Sequence, residues 1–444
     1  MLCLGRHTVT GVICTAGTQE LDWTCDYRMY SRARVDADSL FGVVRQEVEA
    51  LLPAGAPLVV SMDDSILRKS GKKTPGVAWR MDPTGPKFRV NFVLAQRVLQ
   101  LAAAVPFGKE GAARSIPIDF VQAPTPKRPR KKASEQEWEQ FRECRKQMNL
   151  NVVAVRRLRH LAEQTERELW LTVDGRFTNR TVLKDLPELA KLIGRIRKDA
   201  KLYGVAEEKK PSSKGGRPRR YGPRLPTPEE MRKDESIPWK TVKAYAAGKV
   251  REFRIKTVEP VKWRPAGVEK ELWLIVIAPL GYRLSKKGKV LYRDPAFLIC
   301  TDPHLPLEQV LQAYLWRWGI EVNFRDEKSV LGVGQAQVRN PHSVSLQPAT
   351  AVVAYSLLLL AGIQTYGADG FPEAVPLPAW LRKRQPKQAS LARLINQVRY
   401  EMWGESLCPE GFSGFANPPK TARNQKPQKP STTVASALFH AKNA

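Results

Sequence analysis

Four residues, Tyr314, Arg317, Glu321 and Lys328, bring together a carboxylate, two cations and a phenol. Carboxylate oxygens suit hard divalent cations, and guanidinium and ammonium groups bind phosphate oxygens. Apolar periodicity over 307–330 predicts a helix. With Tyr314 at zero and about 100° per residue, Arg317 falls near ~300°, Lys328 near ~320° and Glu321 near ~340°. The four share one stripe, with Arg325 beside it. Ala313, Trp316, Ile320 and Phe324 flank it on one side, and Leu311, Leu315, Trp318 and Val322 on the other. The exposed side would then carry Gln312, Gly319, Asn323 and Asp326, with Trp316 and Trp318 in the core. A structural Arg317–Glu321 pair at i,i+4 explains two of the four residues. Burying the remaining charge is costly without partners, and a metal and a phosphate backbone would be such partners.

Two apolar runs of strand length, 58–62 and 169–173, each stop at an acid: Asp63-Asp64 and Asp174. Ligand-binding groups gather at the carboxyl ends of strands in α/β sheets, although an aspartate there is more often a turn former. Neighbouring residues leave a strand in opposite directions, so Asp63 and Asp64 stand as alternatives. Basic loops supply Lys69, Lys72 and Lys73, then Arg217, Arg219 and Arg220. These are candidates for longer-range phosphate contacts, with a solvated loop an equal reading.

The elements that must position these groups follow the same punctuation. Residues 39–52 form a helix broken by Pro53 and Pro57. Runs at 88–94 and 98–105 are apolar. A helix over 134–165 starts at Ser134, with Glu137 as its capping-box partner. Beyond about residue 205, short strand-like runs at 250–258, 272–278 and 296–300 read as a β-rich insertion. The apolar run 349–363 is short of the ~18 residues a membrane span requires and reads as a buried helix. The expected order is an N-terminal region (1–55), an α/β core (56–204), the insertion (205–304), the rest of the core with the glutamate helix (305–365), a C-terminal helical region (366–416) and a flexible basic tail (417–444).

Charge narrows the function. Seventy-three Lys and Arg against forty-four Asp and Glu give a formal +29 over 444 residues, a balance that points to a polyanion, above all nucleic acid. Six scattered cysteines form no C-x-x-C pair, so neither a zinc site nor a disulfide framework is expected. The N-terminal stretch is broken by Arg6 and His7 and does not read as a signal peptide; a cytoplasmic protein without a membrane partner is expected. None of the five histidines has Arg three residues later, against a tyrosine recombinase. H-E-x-x-H and G-x-x-x-x-G-K-[ST] are absent, against a zinc hydrolase and a P-loop motor.

The spacing Tyr314-x-x-Arg317-x-x-x-Glu321-x-x-x-x-x-x-Lys328 resembles the Y-R-E-K signature of DDE transposases encoded by bacterial insertion sequences. Trp316-Arg317-Trp318-Gly319-Ile320-Glu321 and Leu331-Gly332-Val333-Gly334-Gln335 are similar to that family too, and the likeness spans roughly 55–365. It implies an RNase H-like catalytic core interrupted by a β-rich insertion, with helical N- and C-terminal parts. It also implies a triad of Asp63, Asp174 and Glu321 holding two Mg²⁺ ions, with Mn²⁺ a substitute. Asp63-Asp64-Ser65 resembles the family's aspartate, variable residue, Ser/Thr pattern, which favours Asp63 and leaves Asp64 open. Arg317, Lys328, Tyr314 and Arg325 would lie on DNA. The implied reaction is hydrolysis at the element ends, then transfer of the freed 3′-hydroxyl into target DNA. Its partners would be double-stranded DNA and a second copy of the chain. Alternatives are a silent DNA-binding descendant and a non-mobile endonuclease. No N-terminal helix-turn-helix is evident.

Overall fold

Strand β1 (Leu58–Arg68) does not stop at Asp63. It pairs antiparallel along nine positions with a long neighbour, from Val60 opposite Ala103 to Arg68 opposite Ala95. Backbone pairing therefore carries the chain past the two acids, where side-chain polarity alone predicts an end. The computed structural model describes residues 1–32, 34–82, 85–86, 88–206, 219–285, 288–368, 370 and 389–403. Arg217 and the 417–444 tail lie outside them.

In chain order the elements begin with α1 (Val9–Ala16), α2 (Thr24–Ser31) and α3 (Ala37–Ala50), the last capped by Asp36. After β1 come β2 (Val77–Met81), β3 (Phe92–Phe107) and β4 (Ala112–Gln122). β3 merges the two apolar runs expected at 88–94 and 98–105. The helix expected over 134–165 is two helices, α4 (Glu135–Gln147) and α5 (Leu150–Ala162). Ser134 caps the first in the expected capping box, and Asn149 breaks the run by capping the second. β5 (Leu169–Val173), α6 (Arg180–Lys184), β6 (Ala190–Arg195) and β7 (Leu202–Tyr203) follow.

The next stretch holds α7 (Pro228–Lys233), β8 (Lys240–Ala246), β9 (Lys249–Trp263), β10 (Leu272–Ile277), β11 (Gly281–Tyr282), β12 (Leu291–Tyr292) and β13 (Ala296–Cys300). Helices α8 (Leu307–Trp316), α9 (Trp318–Ser329), α10 (Pro341–Tyr366) and α11 (Leu391–Trp403) complete the described chain.

The main sheet runs β2-β3-β1-β5-β6-β13-β10-β9-β7, with β4 also on β3 and β8 on β9. β3 is antiparallel to β1 and β4, whereas β1, β5 and β6 are mutually parallel. That is the RNase H-like arrangement. The β-rich stretch forms no separate body, because β13 adds antiparallel to β6 and carries β10 and β9 outward from it.

Alternation along each strand divides the core. Leu58, Val60 and Met62 of β1, with Leu169, Leu171 and Val173 of β5, join the cluster that contains α3, α5 and α10 residues. Val59 and Trp170 point the opposite way, into a second cluster with Val310, Leu311 and Ala313 of α8. α10 is longer than the 349–363 run and is buried along much of its length, packing on β4 and α3. It is the one described helix long and apolar enough to cross a membrane, and 67% of its most apolar window is buried in the fold.

Candidate active site

The register places the two aspartates. Met62 lies opposite Val173 in the parallel β1–β5 pair, so Asp63 and Asp174, the next residue on each chain, are neighbours. Both leave the sheet on the α8 side, following Ser61 and Thr172, whose hydroxyls are 2.9 Å apart. Asp64 points through the sheet instead, where it pairs with the Arg176 guanidinium at 2.5 Å and lies in the field of Arg80 and Arg97.

Asp174 combines both readings open to a strand-end aspartate. Its carboxylate accepts from the Arg176 amide at 2.9 Å, closing a turn, and it also stands beside Asp63. Burial, followed by the Asp174 charge, pushes the Asp63 carboxyl up to about 7, against the opposing pull of the Asp64 amide and Arg317. Two close carboxylates disfavour their joint ionisation.

Glu321 comes from the helical side. The helix expected over 307–330 bends at Arg317, which ends α8 and begins α9 with φ −50° and ψ −32°. Its amide bonds to the Tyr314 carbonyl, and its carbonyl accepts from the Ile320 amide, each three residues away at 3.2 Å. Such i→i+3 bonds tighten the turn. From this bend the Arg317 side chain reaches both partners: Glu321 at 3.1 Å and Asp63 at 3.8 Å. Its guanidinium carbon lies 5.8 Å from the Tyr314 ring centre, and burial raises the Tyr314 phenol.

Of the stripe, Arg317 reaches Asp63 and Lys328 reaches Ser65, and the rest of the wheel requires correction. Asn323 and Asp326, expected outside, are buried, and Trp318, expected in the core, is 60% exposed. α9 lies on β4 by its Gly319–Asn323 side. A Cβ on Gly319 would sit 2.5 Å from the Ser115 Cβ, so only glycine permits the approach. The Asn323 amide then bonds the Ser115 hydroxyl at 3.0 Å and the Tyr355 hydroxyl at 3.2 Å. Trp316 is half-buried, its indole N–H donating to the Gly111 carbonyl at 2.8 Å.

The far end of α9 is tied to β1. The Lys328 ammonium bonds the Ser65 hydroxyl, and burial lowers its pKa. A turn follows in which Gly332 (φ 60°) and Gly334 (φ 94°) take left-handed conformations that glycine adopts freely. Here Lys69 proves to be structural. Its ammonium is buried and donates to the carbonyls of Gly334 at 2.6 Å and Ala336 at 2.9 Å, leaving it out of reach of a DNA phosphate. Arg325 points outward onto Asp326 at 2.9 Å. Lys72, Lys73, Arg219 and Arg220 are exposed.

Sequence reasoning missed three contributors. Arg176 is signalled only by lying two residues after Asp174. Glu327 is buried and pushed up to about 8, against Gln100, which lies opposite Asp63 in the β1–β3 register. A cleft of about 820 Å³ opens from Gly175 past Arg195, Lys198 and the ion pairs Arg197–Asp199 and Arg232–Glu229, a mixed-charge lining that only the fold assembles.

A divalent cation needs closely set oxygen donors. The Asp63–Asp174 pair fits: oxygen donors side by side, with one carboxyl whose ionisation a cation would favour. Glu321 stands across Arg317 from Asp63, and among the described residues no three His, Cys, Asp or Glu side chains converge closely enough to hold a metal.

The RNase H-like sheet sets Asp63 and Asp174 side by side on adjoining strands, with the helix that carries Glu321 beside them. The chain belongs to the DDE superfamily endonucleases, whose family model matches residues 1–268. The match takes in β1 through β9, with Asp63 and Asp174, and ends before the glutamate helix. No curated protein matches the sequence. Nucleases of this family act on DNA and generally use divalent metals.

Proposed function

We propose that the protein is a DNA transposase whose triad is Asp63, Asp174 and Glu321. Carrying this reading is the in-register aspartate pair, with Arg317 linking it to Glu321. The aspartates would hold Mg²⁺ or Mn²⁺, and Glu321 would complete a two-ion site when Arg317 turns to a phosphate. Bound there, the ions supply activation of a water or 3′-hydroxyl and stabilisation of the leaving oxygen. Of the two acids on β1, Asp63 is the one we assign, because Asp64 is engaged by Arg176 on the opposite side.

Arg317 and Lys328 then anchor phosphates flanking the scissile bond, and Tyr314 orients Arg317 through its ring face. Arg325, Lys72, Lys73, Arg219 and Arg220 serve as outlying phosphate contacts. Cleavage at the element ends and strand transfer by the freed 3′-hydroxyl complete the reaction, carried out by two copies of the chain holding two ends in the cytoplasm.

The test incubates the protein with DNA flanking its coding sequence and Mg²⁺. Wild type nicks and joins this DNA, whereas Asp174→Asn and EDTA-treated protein do not. Equal cleavage by both proteins, or cleavage that survives EDTA, removes the triad assignment. A second reading, a DNA-binding descendant that no longer cuts, draws on the Arg317 guanidinium between Asp63 and Glu321. Gel-shift binding with Mg²⁺ but no cleavage favours it.

A further inference from the structure

The ribbon formed by β2 and the start of β3 exposes a group of large apolar side chains. Trp79 is 61% exposed, Phe92 54% and Phe88 88%, with Met81 and Val90 also open. Trp79 lies across from Leu94 and Met81 across from Phe92, so these four make one apolar ribbon face.

The ribbon lies on the same face of the sheet as Asp63, and the stretch between them, Gln96, Val98 and Leu67, is buried under α9 and the turn at Gly334. Along β3, Gln100 lies opposite Asp63, Val98 opposite Ser65 and Gln96 opposite Leu67. Alternation in steps of two then brings Leu94 and Phe92 onto the Asp63 side of the sheet. At about 3.3–3.4 Å per residue, the Trp79 and Phe92 levels lie roughly 20–27 Å beyond Asp63. On a nucleic acid that distance is about six to eight base steps, at ~3.4 Å each.

Charge selects the occupant. Exposed Lys72 and Lys73 precede β2 along the chain and exposed Arg89 lies between β2 and β3, in a chain of formal charge +29. Such a charge attracts a polyanion. An intact duplex presents sugars and phosphates, which call for cations rather than rings. Base faces become available to aromatic side chains where stacking is opened, and stacking on such rings is sequence-tolerant.

We propose that the β2–β3 ribbon is a stacking platform for unpaired bases about six to eight nucleotides from the cut, with Trp79 and Phe92 as its principal contacts. This rests on the reading that Asp63 marks the cutting centre.

The test measures binding of the full-length protein, in EDTA to prevent cleavage, to a blunt duplex of about 30 base pairs and to the same duplex carrying a single-stranded arm of about 8 nucleotides. The loss of about one stacked base predicts roughly tenfold weaker binding of the armed DNA by Trp79→Ala/Phe92→Ala. Blunt-duplex binding and the slope of log affinity against log salt stay unchanged, since no phosphate contact is removed. Trp79→Phe/Phe92→Tyr restores the preference. In the wild type, 2-aminopurine in the distal arm is quenched on binding, a readout independent of whether the variants fold.

Unchanged arm preference in the alanine variant, or no quenching, overturns the proposal. So does conversion of a dimer to a monomer with DNA preference intact, which assigns the ribbon to a protein contact. Asp174→Asn retains the arm preference. Absent cleavage by wild type alongside ribbon-dependent arm binding would sink the transposase reading and leave the platform standing.

Discussion

The aspartate pair and the glutamate helix meet at one site but are held by different means. Asp63 and Asp174 are placed by backbone register, one step beyond the Met62–Val173 pairing, and no side chain is required to bring them together. Glu321 depends on the bend at Arg317, a glycine contact at Ser115, the Asn323 amide and the Lys328–Ser65 bond. A strand-built half is rigid by default. The helix-built half has several small adjustments available, and each is a point where the placement of Glu321 can be lost without loss of the fold.

Gly319→Ala should break this contrast most strongly. The new methyl group collides with Ser115 and lifts α9 away from β4, moving Glu321 while leaving the aspartates in register. Displacement by about 1 Å costs on the order of 100-fold in cleavage, with a stability loss of about 1–3 kcal/mol from overpacking. Single-turnover cleavage and a denaturant melt measure the two; cleavage within twofold of wild type would mean that the helix position is not critical.

Asp63→Asn sharpens the other half. The Asp63 carboxyl is raised to about 7 in the fold from its ordinary 3.8. The folded state therefore binds the extra proton between those values, and metal-free stability falls as pH rises through that window. The variant should be more stable than wild type above pH 7, by roughly 2–4 kcal/mol, with the advantage vanishing below about pH 4. Thermal melts in EDTA across pH report this directly, and a difference independent of pH would refute the assigned cause. Divalent cation binding to wild type near pH 7 should release a proton, seen as a buffer-dependent heat in calorimetry.

Arg325→Ala is the smallest effect. Its side chain projects into solvent onto Asp326, so cleavage stays within about twofold and the salt slope of DNA binding falls by one unit at most. A large loss would place Arg325 with the inner phosphate contacts instead.

How much of this was legible follows from the same contrast. The apolar runs before Asp63 and Asp174 mark two strands, and the capping box at Ser134 marks a helix start, because each is a local signal. Whether Asp63 or Asp64 faces the helix is not local: it depends on which strand lies alongside β1 and in what register. The wheel set Tyr314, Arg317, Glu321 and Lys328 on one stripe and read the Gly319–Asn323 side as solvent-facing. Polar residues there are satisfied by Ser115 and Tyr355 from distant strands and helices, a partnership invisible in residue types. Lys69 misled for the same reason, since two carbonyls more than 250 residues along the chain take up its charge.

The docking of β13 on β6 has a consequence for how the chain is made. From the time the ribosome has produced Arg195 until Ala296–Cys300 emerges, β6 has no neighbour on that side. Throughout that interval the growing polypeptide carries an open row of backbone donors and acceptors beside the Asp63–Asp174 pair. Such an edge is a template for unwanted pairing between nascent chains, and the strand that closes it is the last before the glutamate helix. Closure of the sheet and arrival of Glu321 are thus consecutive events, so a chain interrupted early keeps an open edge and lacks the helix that would face it.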